Sequence, residues 1–159
     1  MTPLIPTALA LLALAGPAMA ASTPDENAAI NTAQRFFDAM AANDGAAVTA
    51  ITLPASVFTA IRPAPGGGAK VSRMTVEEFV KNLRPGLHEA MWAPRVSIRG
   101  GMMATVTAPY EFKLEGKSTH CGIDVFELAK VDGQWKVASL IWTAEPDACP
   151  ELKTQKAAG

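Results

Sequence analysis

The sequence predicts one α+β domain, with three N-terminal helices packed on one face of an antiparallel sheet. Three observations carry this. Apolar residues recur at helical spacing in residues 29–41 and again in 76–83. From Trp92 onward the period changes to two, in four runs separated by glycine-bearing turns. Helical signals come first and sheet signals afterwards, so the chain does not alternate as a βαβ protein does. Its 159 residues suit one domain, and 49% hydrophobic with 18% charged residues is enough to bury a core. A net charge of −1 offers no basic field for nucleic acid or an anionic lipid surface.

The chain opens on a targeting pattern. Residues 8–15 are all Ala or Leu, and Ala18-Met19-Ala20 has the small-x-small form of a signal-peptidase site. Residues 1–20 are therefore expected to be a cleaved signal peptide, its apolar run too short to span a bilayer. They leave a domain over 21–150 in a periplasmic or secreted protein with no membrane contact. Thr23-Pro24-Asp25-Glu26 then starts a helix: Thr23 caps, Pro24 suits the first turn and Glu26 completes a capping box. Ala29, Ile30, Ala33, Phe36, Phe37, Met40 and Ala41 form its apolar face. Asn43-Asp44-Gly45 ends it, and Asp44 caps a short second helix that must finish before Pro54. Residues 56–61 read as a strand and 63–68 as a Pro/Gly loop. Thr75-Val76-Glu77-Glu78 is a second capping box, opening a helix with Val76, Phe79, Val80 and Leu83 inward until Pro85-Gly86 stops it.

Strands follow at 95–99, 103–114, 119–131 and 134–143. Asp132-Gly133 is the strongest hairpin signal in the chain. With those two as loop residues, Phe126 faces Ser139, Asp124 faces Ile141 and Gly122 faces Thr143. One sheet face then carries His120, Gly122, Asp124, Phe126, Ser139, Ile141 and Thr143. A three-residue turn at Glu115-Gly116-Lys117 adds Val106, Ala108, Tyr110 and Phe112 to it. The opposite face carries Cys121, Ile123, Val125, Leu140 and Trp142. Both faces are partly apolar, so one covers the helices and the other needs a partner, a ligand or a terminal segment. A homodimer through Ile123, Val125, Leu140 and Trp142 is expected. Residues 151–159, rich in Lys and Ala without apolar pattern, are expected to be a disordered tail.

These motifs resemble the nuclear transport factor 2-like superfamily, in its exported bacterial SnoaL-like branch. The resemblance rests on Pro109-Tyr110-Glu111-Phe112, Gly116-Lys117, the strand from His120-Cys121-Gly122 to Leu128, Asp132-Gly133-Gln134-Trp135, Thr143 and Ala148-Cys149-Pro150. It implies a cone, a curved antiparallel sheet wrapped on the helices and open at one end onto a pocket, often dimeric through its outer face. The superfamily includes isomerases, polyketide cyclases, dehydratases and non-enzymatic binding modules, so the fold does not settle function.

No motif fixes a reaction. Gly66-Gly67-Gly68 lacks a phosphate-loop ending, and no Gly-x-Ser-x-Gly or His-Glu-x-x-His occurs. His88 and His120 have no ligand-like spacing to the cysteines, so neither metal nor cofactor is called for. Asp124, mid-strand beside Phe126, is the sharpest candidate: desolvation would raise its pKa and suit it to acid–base work, while a structural hydrogen bond is the plainer reading. His120 lies about 13 Å along the strand at about 3.3 Å per residue, too far for a direct dyad, and reads as a rim residue. Tyr110, the only tyrosine, either pairs with Asp124 to stabilise an oxyanion or is a core residue with a backbone-satisfied hydroxyl. Phe36 and Met40 from the first helix, with Tyr110, Phe112, Asp124, Phe126, Ile141 and Thr143, are the expected pocket lining; Arg62 and Arg73 border its mouth. The expected function is binding of a small apolar or amphipathic ligand. An isomerase, cyclase or dehydratase using Asp124 with Tyr110 or His120 is the alternative, and a structural dimer with a filled cavity the third. Cys121 lies near residue 144 in this register, and Cys149 follows five residues later. An exported chain turning back over the strand end would join the two in a disulfide.

Overall fold

The structure, a computed structural model, describes residues 22–157. The expected signal peptide lies outside the described residues. Helix α1 (Pro24–Ala41) starts as the sequence dictates: the Glu26 N–H donates to Thr23 Oγ1 at 3.2 Å and the Thr23 N–H to Glu26 Oε2 at 2.7 Å. It ends where Asn43 takes a left-handed conformation, φ 56°. Asp44 then caps α2 (Gly45–Ala50) by accepting from the Ala47 N–H at 2.9 Å. The second capping box is also formed, and Thr75 with Glu78 opens α3 (Val76–Lys81).

The strands are β1 (Thr52–Pro63), β2 (Ala69–Thr75), β3 (Leu87–Met91), β4 (Arg95–Arg99), β5 (Met103–Leu114), β6 (Lys117–Val131) and β7 (Gln134–Thr143). The last four match the sequence-derived limits, apart from two added residues at the start of β6. Strand β1 begins earlier than expected, at Thr52. It includes Pro54 because its pairing is interrupted between Thr52 and Val57, where no ladder donor is needed. Strands β2 and β3 were not expected. β2 is largely exposed and polar, and Leu-His-Glu-Ala-Met has little strand propensity of its own. Each is ordered by pairing, β2 along β1 and β3 along β5.

The seven-stranded sheet runs β2-β1-β7-β6-β5-β3, with β4 also on β5. It is not wholly antiparallel: β1 and β7 pair in parallel. The sheet curls around α1, giving the cone. Phe36 and Phe37 are 1% and 2% exposed and pack against Phe126 with ring centroids 5.7 and 5.3 Å apart. Phe58 and Phe79 complete the cluster around Phe36 at 5.4 and 5.3 Å.

The Asp132-Gly133 turn forms as expected, with φ 50° and 76° and Val131 opposite Gln134. Four pairs later the register differs. Leu128 faces Val137 but Glu127 faces Ser139, so Ala138 is the extra residue of a β-bulge. Beyond it every β7 side chain changes face. Asp124 therefore faces Trp142, not Ile141. Leu140 and Trp142 turn inward, and Ile141 turns outward, 38% exposed. The opposite happens at the β5–β6 turn. It has two loop residues, not three, and a bulge at Phe112/Lys113 restores the expected rows: Phe112 opposite His120 and Ala108 opposite Asp124.

Cys121 and Cys149 form a disulfide, with Cα atoms 4.9 Å apart. Within the segment expected as a tail, residues up to Ala157 are helical. Residues Cys149–Ala157 form α4, held by the bridge and by Leu152, 8% exposed, against Trp92 and Cys121. This helix covers the Ile123 end of the outer sheet face. Among the described residues no helix is long and apolar enough to cross a membrane.

Candidate functional site

One end of the cone is hollow. The cavity has a volume of about 280 Å³. Its walls are Phe36, Phe37 and Met40 from α1, Phe79 and Leu83 from α3 and its exit, and Phe112, Leu140 and Trp142 from the sheet. Arg62, Asn82 and Arg84, all exposed, stand at its rim. Asp124, 1% exposed, and Glu89 form its floor.

Sequence reasoning placed Asp124 and missed Glu89. Glu89 lies on the unpredicted strand β3, opposite Phe112. A period-two run, Leu87, Glu89, Met91, was the available signal, but five residues of mostly helix-forming types hid it. The two carboxyls meet and hydrogen-bond. Burial raises both: Asp124 is pushed up to about 8, and Glu89 well above the usual carboxylate range, further raised by the adjacent Asp124 charge. Two desolvated carboxyls in contact do not both ionise near neutral pH, so the pair holds at least one proton. Glu89 donates it to Asp124. The other Asp124 oxygen, Oδ2, is buried with no hydrogen-bond partner.

His120 is in the cavity wall. Its ring stacks on Phe112 with centroids 5.0 Å apart, and its Nδ1 lies 2.8 Å from Thr119 Oγ1. Burial, and then Arg62, push its pKa down to about 4, so it is neutral at pH 7. Tyr110 is not in the lining. Its hydroxyl donates to the Thr143 carbonyl at 2.7 Å, inside the core. That carbonyl lies where a Cβ on residue 122 would be, 1.9 Å from the ideal position, so only glycine fits there. Tyr110 thus has no free proton for an oxyanion, and its pKa is raised, chiefly by burial.

Of the other expected lining residues, Phe36, Met40 and Phe112 border the cavity. Phe126 does not, because Phe36 and Phe37 seal it into the core. Ile141 faces outward because of the Ala138 bulge. Thr143 is held aside with its hydroxyl accepting from the Ile123 N–H at 3.1 Å. Arg62 reaches the rim, with Nη1 3.3 Å from Ser72 Oγ; Arg73 is exposed and does not line the cavity. Trp142, assigned by sequence to the outer face, is one of the walls.

The sequence model of a family described as "Putative lumazine-binding" matches residues 24–143. No functionally curated protein matches the chain. Three solved structures share its fold. One is a protein of unknown function with a cystatin-like fold from Nostoc punctiforme, with TM-score 0.63, 12% identity, and coverage of 81% of this chain and 97% of that one. Another is a nuclear transport factor 2-like protein of unknown function from Shewanella baltica, at 0.54, 16%, 77% and 96%. The third is a ketosteroid isomerase-like protein from Erwinia carotovora atroseptica, at 0.55, 18%, 77% and 98%.

Proposed function

The chain belongs to the family so described, within the nuclear transport factor 2-like superfamily, and we propose that its cavity binds a small, mainly apolar ring compound. One observation carries this reading. A buried carboxyl oxygen, Asp124 Oδ2, has no partner in a hollow whose walls are mainly aromatic and aliphatic side chains. Such an orphan costs about 1–3 kcal/mol and is rare in a native interior. A ligand that makes one hydrogen bond there removes the cost, and the apolar side chains around it supply the remaining contact. A cavity of about 150 Å³ holds one benzene, so about 280 Å³ suits two fused rings. Lumazine, named in the family description, is a compound of that size. Ligand-detected NMR against one- and two-ring compounds tests the proposal. Saturable binding is expected, lost in Leu83→Trp, which fills the hollow from its half-buried wall. Absence of any binder at millimolar concentration overturns it.

The carboxyl pair also favours acid–base chemistry of the isomerase, cyclase or dehydratase kind. Two carboxyls holding a proton beside a neutral His120 supply both an acid and a base. In this second reading Glu89 replaces Tyr110 as the partner of Asp124, and Asp124→Asn removes turnover while leaving binding measurable.

Export belongs to the same proposal. It is supported by the Cys121–Cys149 disulfide, since such bridges persist in oxidising compartments.

A further inference from the structure

The charged groups of the cavity are separated by depth, and this separation bears on which ring compounds fit. Five ionisable residues line it: Arg62, Arg84, Glu89, His120 and Asp124. The two arginines come from different elements, β1 and the segment between α3 and β3, yet both stand at the open rim. Neither forms an ion pair among the described residues. Arg62 has one long hydrogen bond, to Ser72, which leaves most of its fork unused. At the floor, Glu89 hydrogen-bonds one oxygen of Asp124, and the other, Oδ2, is buried without a partner. His120 is neutral and stacked flat on Phe112, adding a wall and no charge.

Resting on the ligand-binding reading above, we infer that the cavity takes a monoanionic ring compound, its anionic substituent at the Arg62/Arg84 rim and a hydroxyl on Asp124 Oδ2. The rim carries two positive charges and the floor no more than one negative charge near neutral pH, so a cation entering the hollow meets repulsion first. A carboxylate at the rim gains charge-assisted, fork-shaped hydrogen bonds and stays partly hydrated, avoiding the cost of burying it. The hydroxyl at the far end, able to donate or accept, ends the isolation of that buried oxygen. The aromatic walls take the rings between them. A neutral compound with a hydroxyl keeps only the floor contact. An anion without a hydroxyl keeps only the rim contact and leaves Oδ2 unsatisfied.

Calorimetry at pH 7 with four naphthalenes tests this: 6-hydroxy-2-naphthoate, 2-naphthol, 2-naphthoate and 2-naphthylmethylamine. The hydroxynaphthoate is expected to bind on the order of tenfold more tightly than either 2-naphthol or 2-naphthoate. In the Arg62→Gln/Arg84→Gln double variant, whose exposed positions leave the fold intact, the ratio of hydroxynaphthoate to 2-naphthol affinity falls to about one. Melting curves of that variant check the fold. Equal affinity for the three oxygen compounds overturns the inference and leaves the ligand-binding reading standing, as does tighter binding of the amine. Failure of all four to bind, together with failure of the wider ring library, overturns both.

Discussion

Strand β6 passes through two regions that differ in a single respect: whether α1 covers them. Toward its end, Phe126 and Leu128 are each 1% exposed and meet apolar partners on the helix. There the cone is closed. Asp25 at the start of α1 accepts from Lys130 Nζ at 2.6 Å and from Trp135 Nε1 at 3.1 Å, tying the helix to the Asp-Gly hairpin. Toward its beginning, the same inward row continues as Asp124 and His120, and no helix residue fills the space in front of them. The reason is length. An 18-residue helix is about 27 Å long at 1.5 Å per residue, while a 15-residue strand extends to about 50 Å. Anchored at the closed end, α1 runs out at Met40. The hollow is the part of the sheet's inner face that the helix does not reach, and Asp124 and His120 stand on it.

The largest test of this contrast is to remove one ring from each region. Phe126→Ala is expected to cost about 3–5 kcal/mol of unfolding free energy in denaturant titrations, because its neighbours cannot collapse into the gap. Phe112→Ala, in the cavity wall, is expected to cost less than half as much, since that ring already borders empty space. Equal losses would mean that the two regions are packed alike.

Next in size is the clamp on the outer face. The Cys121–Cys149 bridge spans 28 residues. Loop-closure entropy gives it roughly 3–4 kcal/mol, the chain-entropy figure for a loop of this length. Cys149→Ala is expected to lower the melting temperature and to increase hydrogen exchange in α4, with the Asp25–Lys130 end unaffected. Alkylation without reductant gives a direct check, since two additions would refute the bridge.

A smaller effect separates the regions by pH. Asp124 and Glu89 have raised pKa values, so the folded state holds protons that the unfolded chain releases. The stability from the pair is full below the ordinary carboxylate range and lost as pH rises to about 8. His120 acts in the opposite sense. Its pKa is depressed to about 4, so its contribution is present above about 6.5 and lost on acidification. Melting temperature is therefore expected to decline between pH 6.5 and 8, where His120 no longer titrates. That decline flattens in Asp124→Asn/Glu89→Gln. A decline that persists in the double variant would place its source elsewhere.

The smallest effect on the fold concerns the outer face. A homodimer through that face is still a proposal, now on Ile123, Val125 and Ile141, with exposed Val57 one strand further along. Leu140 and Trp142 face inward and do not belong to it. Ile141→Glu is expected to leave the melting temperature of the monomer nearly unchanged and to shift sedimentation at micromolar concentration from dimer to monomer. A wild-type protein that sediments as a monomer removes the dimer.

Much of the fold is legible in short stretches of sequence, where the determining contacts are local. Thr23 with Glu26, Thr75 with Glu78, Asp44 before Ala47, and Asp132-Gly133 each act over four residues or fewer, and each forms as read. Asp124 is legible for the same reason, as a carboxyl residue between Ile123 and the apolar pair Val125-Phe126. Its partner Glu89 is not. It sits on a strand that exists only because β5 offers it an edge, and the pair joins residues 35 apart in the chain. The Ala138 bulge is equally hidden. Nothing in Val137-Ala138-Ser139 marks one residue as extra, yet that residue exchanges Ile141 for Leu140 and Trp142 in the inner face and moves a tryptophan from a supposed interface to the cavity wall.

The sequence by itself therefore determined the elements, their caps and turns, the superfamily and the chemical character of β6, because these depend on neighbours along the chain. The tertiary structure alone decided which residues meet: the mixed sheet order, the Glu89–Asp124 pair, the withdrawal of Tyr110 to the Thr143 carbonyl, and the arginine rim. Each depends on register and on where a helix ends relative to a longer strand. Those are set by packing across the whole domain, which no local pattern records.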